Sequence, residues 1–296
     1  MTKISFLLLT EKGFRVLERF IERHGAHRVA YVVVGRDKTL IDDHGDRIET
    51  LCRDHGITFH ERSQVQDCLD PALYHFAISW RWMINDLAPD RLIVVHDSIL
   101  PKYRGFAPLL SMLINGESEI GITALLANSE YDAGPILAQQ AASIEYPMKI
   151  GDAISIISRM YAEMVAELSD RILSAESLVG RDQDESAATY CLWRDEQDFA
   201  IDWSLDAARI RRSVDALGPP YKGSSSLLNG KKVRILEVEE VDDLPIEIRN
   251  PGKIIFVRDG RPVVVCGKGL LRIDRAILDE TRESVLPLQR FRSRFH

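Results

Sequence analysis

Apolar positions along this chain follow two regimes. Residues 3–10 form a largely unbroken apolar run, Gly13 and a helical spacing through Phe14, Leu17, Phe20 and Ile21 follow, and residues 28–35 form a second, β-branched run. That spacing predicts a βαβ unit. A helix over residues 42–55 and short apolar runs at 57–60, 73–79 and 91–96 continue the alternation. Apolar runs buried on both faces and separated by helices predict a mostly parallel sheet covered by helices. A helix at 107–114, two strands at 119–127 and 135–146 around the turn 129–134, and a long helix at 151–175 complete this part. The polar stretch 180–188 is the expected linker. Beyond it the pattern changes. A helix over 204–217 leads into Gly218-Pro219-Pro220-Tyr221, and short strands are then punctuated by Asn229-Gly230 and Asp259-Gly260, both hairpin turns. The expected organisation is an α/β domain over residues 1–185 and a smaller, mostly β domain with a leading helix over 186–296.

Composition narrows the classes. With 296 residues the chain can bury two cores, and its 45% hydrophobic and 28% charged residues exclude disordered, collagenous and disulfide-scaffold classes. No apolar run reaches the roughly 18 residues of a membrane span, and the first ten residues read as a strand, not a signal peptide, so a cytoplasmic location is expected. The four cysteines are Cys52, Cys68, Cys191 and Cys266. Their wide spacing gives neither a zinc cluster nor a redox pair, and no metal is expected. A formal net charge of −7 disfavours a nucleic-acid partner. Basic clusters at Arg209-Ile210-Arg211-Arg212, Lys231-Lys232-Val233-Arg234 and residues 290–294 read as solvated faces. There is no G-x-G-x-x-G after the first strand, no Walker loop and no HExxH, and Gly267-Lys268-Gly269 reads as a turn.

Parallel sheets bind ligands at the carboxyl ends of their strands. Immediately after Ile93-Val94-Val95 come His96, Asp97 and Ser98, so an imidazole is expected at the mouth of the sheet, where it can titrate near neutrality. The string continues as Ile99-Leu100-Pro101-Lys102-Tyr103-Arg104-Gly105-Phe106-Ala107-Pro108. Ile114-Asn115-Gly116-Glu117, Gly121-Ile122-Thr123 and Asp132-Ala133-Gly134-Pro135-Ile136-Leu137 follow it. Together with Ser79-Trp80-Arg81-Trp82-Met83-Ile84, these segments resemble the formyltransferases that use 10-formyltetrahydrofolate. That family includes methionyl-tRNA formyltransferase and the sugar N-formyltransferases, and the resemblance covers nearly the whole chain. It implies a Rossmann-like α/β catalytic domain with a parallel-majority sheet, followed by an OB-like barrel.

Formyl transfer to an amine requires a proton acceptor, a donor for the oxygen that gains charge, and return of the proton to the folate nitrogen. The resemblance implies that His96 is base and acid, and that Asp132 orients the ring and favours its charged form. It places the folate against Trp80, Arg81, Trp82, Met83 and Ile84, with Ala127, Asn128 and Tyr131 opposite. One expected member is absent. Where the family carries Asn-x-His, this chain has Val94 before His96, and losing such a donor costs about 10²- to 10³-fold in turnover. Three explanations compete. Ser98, Asn128, Lys102 or Ser79 supplies the donor; a different group is transferred; or the protein is a silent homologue that binds folate or sugar nucleotide. Asp97 is a second departure, and either contacts an amine or satisfies the loop backbone. On the acceptor side the resemblance places Asp97, Lys102, Tyr103, Arg104 and Gly105, with Arg194 and Tyr221 from the second domain. Arg104 and Arg194 would clamp a pyrophosphate. The segment after the second strand, residues 35–46, is short and aspartate-rich where a tRNA-binding relative carries a basic insertion. The expected partner is therefore a nucleotide-linked amino sugar, with a homodimer compatible and methionyl-tRNA the alternative.

Overall fold

The structure is a computed structural model that describes residues 1–38, 40–84, 86–288 and 290–296. Its chain divides into two compact units. The first comprises Met1–Leu109, Glu119–Ser143 and Ala153–Leu192, the second Leu110–Ser118, Ile144–Asp152 and Trp193–His296.

In the first unit, β1 (Ile4–Leu8), β2 (Val29–Val34), β3 (Phe59–Glu61), β4 (Tyr74–Ile78) and β5 (Leu92–His96) pair in parallel in the order β3-β2-β1-β4-β5. The short β6 (Arg104–Gly105) stands outside this sheet, which β7 (Glu119–Leu126) and β8 (Ile136–Ser143) extend antiparallel beyond β5. Helix α1 (Thr10–His24) returns the chain from β1 to β2 and buries Gly13, Val16, Leu17 and Phe20, the stripe its helical spacing predicts. Phe20 meets Phe6 of β1 edge-on at 4.8 Å, so this helix is seated by aromatic packing as well as by area. Helices α2 (Gly45–Asp54) and α3 (Val65–Cys68) lie along the β2 to β4 path, and α4 (Pro108–Asn115), which falls in the second unit from Leu110 on, follows β6. The long α5 (Ile150–Leu173) runs beside α1, tied by Arg19 to Glu163 at 2.9 Å and by Arg23 to Asp170 at 2.5 Å.

The stretch 180–188, expected as a linker, is instead held in the first unit. Arg181 and Ile136 exchange backbone hydrogen bonds at 2.8 Å, and β9 (Tyr190–Cys191) pairs with β6. Its polar side chains satisfy buried partners, so a polar composition here does not mean an exposed tether. The last passage of the chain from the first unit to the second falls after Leu192.

In the second unit α6 (Ala207–Ala216) starts at Asp206, whose carboxylate accepts the Arg209 N–H at 2.7 Å. Its Ile210 and Val214 join Trp203, Val233, Ile235, Leu271, Ile273 and Phe295 in one core. The strands β10 (Ser224–Leu228), β11 (Lys231–Val241), β12 (Ile254–Arg258), β13 (Arg261–Val265) and β14 (Leu270–Leu278) form an antiparallel sheet in the order β10-β11-β14-β13-β12. The last residues bridge the open side: Leu227 and His296 exchange backbone bonds, and Phe295 donates to the Gly252 carbonyl at 2.8 Å beside the start of β12. A curled sheet whose two edges are joined by the chain terminus is barrel-like, and leaves fewer unpaired edge groups.

Candidate active site

The carboxyl end of β5 gathers the candidate residues. His96 is the last strand residue, and beyond it the chain is fixed by a hydroxyl and amide relay from the neighbouring strands. Thr123 Oγ1 donates to the Ser98 carbonyl at 2.6 Å and accepts from the Leu100 N–H at 3.1 Å. Gln139, the cross-strand partner of Thr123, donates to the Leu100 carbonyl at 2.9 Å. Polar side chains on strands thus hold an irregular loop whose backbone groups would otherwise lack partners.

The His96 side chain is 8% exposed and meets oxygen at both ring nitrogens. Its Nδ1 lies 3.4 Å from Asp132 Oδ2, and its Nε2 lies 2.8 Å from the Tyr103 carbonyl. Asp132, 13% exposed and held at φ 54°, also accepts the Gly105 N–H at 2.8 Å. Two glycines make this approach possible. Gly105 adopts φ 95°, and a Cβ there would stand 2.6 Å from the Cys191 carbonyl; at Gly134 a Cβ would fall 1.8 Å from the Leu126 carbonyl. Gln183 then clasps the turn, donating to the carbonyls of Asp132 at 2.7 Å and Gly134 at 2.8 Å.

Arg104 is placed differently from the sequence expectation. It is 1% exposed and directs a bidentate pair at Glu185, both distances 2.7 Å, while Gln183 Oε1 accepts from its Nε and Nη2. A guanidinium whose fork is filled from within has no face left for a pyrophosphate, so its part is to brace Gln183 and the Asp132 turn. The bond to Glu185 raises Arg104 above the ordinary arginine value and lowers Glu185 below the usual carboxylate range. Arg194 and Tyr221 fall in the second unit, where Arg194 contacts Ser111 Oγ at 3.4 Å and the Tyr221 N–H donates to the Gly218 carbonyl at 3.0 Å.

The other expected residues around the loop have separate commitments. Ser98 is buried and its hydroxyl donates to the Lys102 carbonyl at 2.7 Å, so it is committed to the loop and not to an oxyanion. Asp97 contacts neither an amine site nor the loop backbone: its oxygens are taken by Lys12 Nζ and the Tyr161 hydroxyl, each at 2.5 Å. Lys102 and Asn128 are exposed, with Asn128 Oδ1 accepting from the Ser129 N–H, and Tyr103 is fixed through its N–H to Thr189 Oγ1 at 2.8 Å. Ser79, at the end of β4, accepts from Thr10 Oγ1 at 3.2 Å.

A wall of apolar side chains lies beside β5. Trp80, Ile84, Val94 and Ala127 pack around Ala77, Leu87 and Leu92. Trp82 stands edge-on to Trp80 at 5.0 Å, with the Arg62 guanidinium 4.6 Å over its ring. Arg81 is paired with Asp37 at 2.6 Å, Met83 is exposed, and exposed Tyr131 lies 5.9 Å from the Phe106 ring. The Trp80 indole Nε1 is buried without a hydrogen-bond partner.

Sequence reasoning missed Lys12, Tyr161, Gln139, Gln183 and Glu185. Gln139 carried a signal, a polar side chain within a strand run. The others became visible only when α1, α5 and the stretch after α5 were brought to the sheet end.

Among the described residues no cluster of three or more His, Cys, Asp or Glu side chains suits a metal ion, and no helix is long and apolar enough to cross a membrane.

A histidine at the carboxyl end of an inner strand, met by a carboxylate from a later turn, marks the place where a mostly parallel sheet carries an enzyme site. The comparisons carry this further: the chain belongs to the formyltransferase family. Residues 83–155 match the formyl transferase profile and residues 194–285 the formyl transferase C-terminal domain. Methionyl-tRNA formyltransferase of Geobacter metallireducens is 33% identical over 94% of this chain and 92% of its own length. The enzyme of that name from Roseiflexus is 29% identical over 63% of this chain, and the match spans 56% of the relative's length. In three dimensions the chain is similar to a sugar 3N-formyl transferase solved with dTDP and 5-N-formyl-THF. That likeness has a TM-score of 0.71 at 16% identity, over 92% of this chain and 97% of the other. It is also similar to the Helicobacter canadensis N-formyltransferase in complex with folinic acid and dTDP-3-aminofucose. There the TM-score is 0.72 at 15% identity, over 92% and 98% of the two chains.

Proposed function

We propose that this protein moves the formyl group of 10-formyltetrahydrofolate to the amine of a nucleotide-linked amino sugar. The observation that carries the reading is the His96 and Asp132 pair at the end of β5. The residues present suit the folate. An apolar wall of Trp80, Ile84, Val94 and Ala127 matches the face of a flat heterocycle, and the unpartnered Trp80 N–H offers a donor to its acceptor atoms. When bound, the folate supplies the activated formyl carbon. His96 takes the proton of the attacking amine at Nε2 once that nitrogen gives up its contact with the Tyr103 carbonyl, Asp132 holds the ring through the Nδ1 side, and His96 delivers the proton to the departing nitrogen. Val94 offers no hydrogen bond to the oxygen that gains charge, which leaves that part to another donor.

The acceptor follows from charge. Where a tRNA-binding relative needs a basic insertion, this chain gathers carboxylates: Arg36 reaches Asp46 at 2.8 Å and Glu49 at 3.5 Å, and Asp43 accepts the Asp37 and Gly45 N–H groups. Such a surface repels a polyphosphate backbone. One observation favours methionyl-tRNA as a second reading, the 33% identity to a methionyl-tRNA formyltransferase along nearly the whole chain.

The test incubates the protein with 10-formyltetrahydrofolate and either a panel of nucleotide-linked amino sugars or methionyl-tRNA, at low and high salt. The expected result is a formylated sugar with stoichiometric tetrahydrofolate release, lowered about 10²- to 10⁴-fold in His96→Ala. Formylation of the tRNA alone, with steep loss in salt, moves the assignment to the second reading. Folate binding with no product overturns both in favour of a silent homologue.

A further inference from the structure

We infer that Lys12, Asp97 and Tyr161 form a clamp on the far face of β5 that positions His96 and sets the field around its ring. Alternation along the strand sends Val94 and His96 to one face and Val95 and Asp97 to the other. On that second face α1 and α5 lie side by side. From α1, Lys12 Nζ reaches Asp97 Oδ2 at 2.5 Å; from α5, the Tyr161 hydroxyl stands 2.5 Å from Asp97 Oδ1 and 2.8 Å from the Val95 carbonyl. Both neighbours of His96 are therefore tied to one side chain, itself 1% exposed. Lys12 also lies 5.5 Å over the Tyr161 ring, which closes the triangle.

A packed apolar trio would hold the strand as well, without the desolvation cost of an enclosed ion pair. What the ionic trio adds is a balanced pair of charges on the residue next to His96, on the strand face opposite the one where Asp132 meets the ring. The groups around His96 are Asp132 on its own face, with Arg104 and Glu185 behind that turn, and Asp97, Lys12 and Tyr161 on the other. Burial pushes the Asp97 carboxyl up, yet the Lys12 ammonium and the bonds from Lys12 and Tyr161 hold it below the ordinary aspartate value, with His96 adding to the same effect. Asp97 thus remains a carboxylate whose charge is balanced by Lys12. Removing either partner alone unbalances the field at His96, in opposite directions.

The inference rests on the proposed function only in treating His96 as the reactive group. Its deciding arm needs no turnover: the protein is labelled with ¹⁵N-histidine, and the His96 ring nitrogens, identified by their disappearance in His96→Ala, are titrated by NMR. Asp97→Asn leaves a bare ammonium and shifts the His96 midpoint to lower pH. Lys12→Met leaves a bare carboxylate and shifts it to higher pH, and the double variant returns it toward wild type. Tyr161→Phe, which deletes one hydroxyl, lowers kcat about tenfold at unchanged donor KM. Shifts of the same sign in both single variants, or no shift in either, overturn the clamp. Should Asp97→Asn fail to fold, Lys12→Met and the double variant decide alone, because only a field effect is reversed by removing the second charge.

Discussion

Each unit buries one arginine almost completely, and the two are put to different use. Arg104 in the first unit braces irregular backbone, gripping Glu185 and Gln183 so that the Asp132 turn keeps its place beside His96. Arg234 in the second unit lies in the middle of a strand and binds regular structure, with Asp279 at 2.6 Å, Glu196 at 2.5 Å and the Gly223 carbonyl at 3.2 Å. Both have a charged partner and a hydrogen bond at each of the three guanidinium nitrogens. The difference lies in what is held: a turn bearing the carboxylate that faces His96 in one case, a hairpin in the other. Burial and pairing alone do not reveal which arginine matters to chemistry.

The largest effect separates them directly. Arg104→Ala and Arg234→Ala each lower Tm by roughly 3–8 °C, since each strips a buried network. Only Arg104→Ala lowers kcat as well, by about tenfold or more, because the Asp132 turn loses its brace. Arg234→Ala leaves kcat per folded molecule within about twofold; equal losses of kcat in both would erase the distinction.

A smaller effect probes the apolar side of the site. Val94→Asn places an amide into the wall formed with Trp80, Ile84 and Ala127. It destabilises by about 1–3 kcal/mol, read from denaturant midpoints, and raises turnover by less than about tenfold. A gain of two orders of magnitude would show that the native site lacks a donor altogether.

The smallest effect concerns acid. Asp97, Glu196 and Asp279 sit below their ordinary values, Asp97 and Glu196 because their cations outweigh the upward push of burial, Asp279 because Arg234 bonds it directly. A carboxyl depressed in the folded state releases its proton more readily there than in the unfolded chain. Its stabilisation is complete above the unfolded value near pH 4 and fades as pH falls through the folded value. Urea midpoints measured from pH 5 downward should fall, and the fall should be shallower in Asp97→Asn and in Asp279→Asn. An unchanged slope in either removes that carboxylate from the acid response.

Much of the first unit was legible from its pattern. The apolar runs at 3–10, 28–35, 73–79 and 91–96 became β1, β2, β4 and β5, and the two hairpins at Asn229-Gly230 and Asp259-Gly260 stand between paired strands. Arg104 illustrates the limit. Its string announced a loop at a strand end, but whether its fork faced a ligand or the protein depended on Gln183 and Glu185, about 80 residues away in a stretch that reads as a tether. Asp97 is the same case, its partners lying 85 residues before it and 64 after.

Periodicity fixed what is local: which segments bury one face, where strands end, and that His96 stands at such an end. Tertiary structure alone decided which charges meet there, because the partners of Asp97, Arg104 and Asp132 come from α1, α5 and the stretch before β9. Electrostatic pairing acts over a few ångströms in space and leaves no period along the chain.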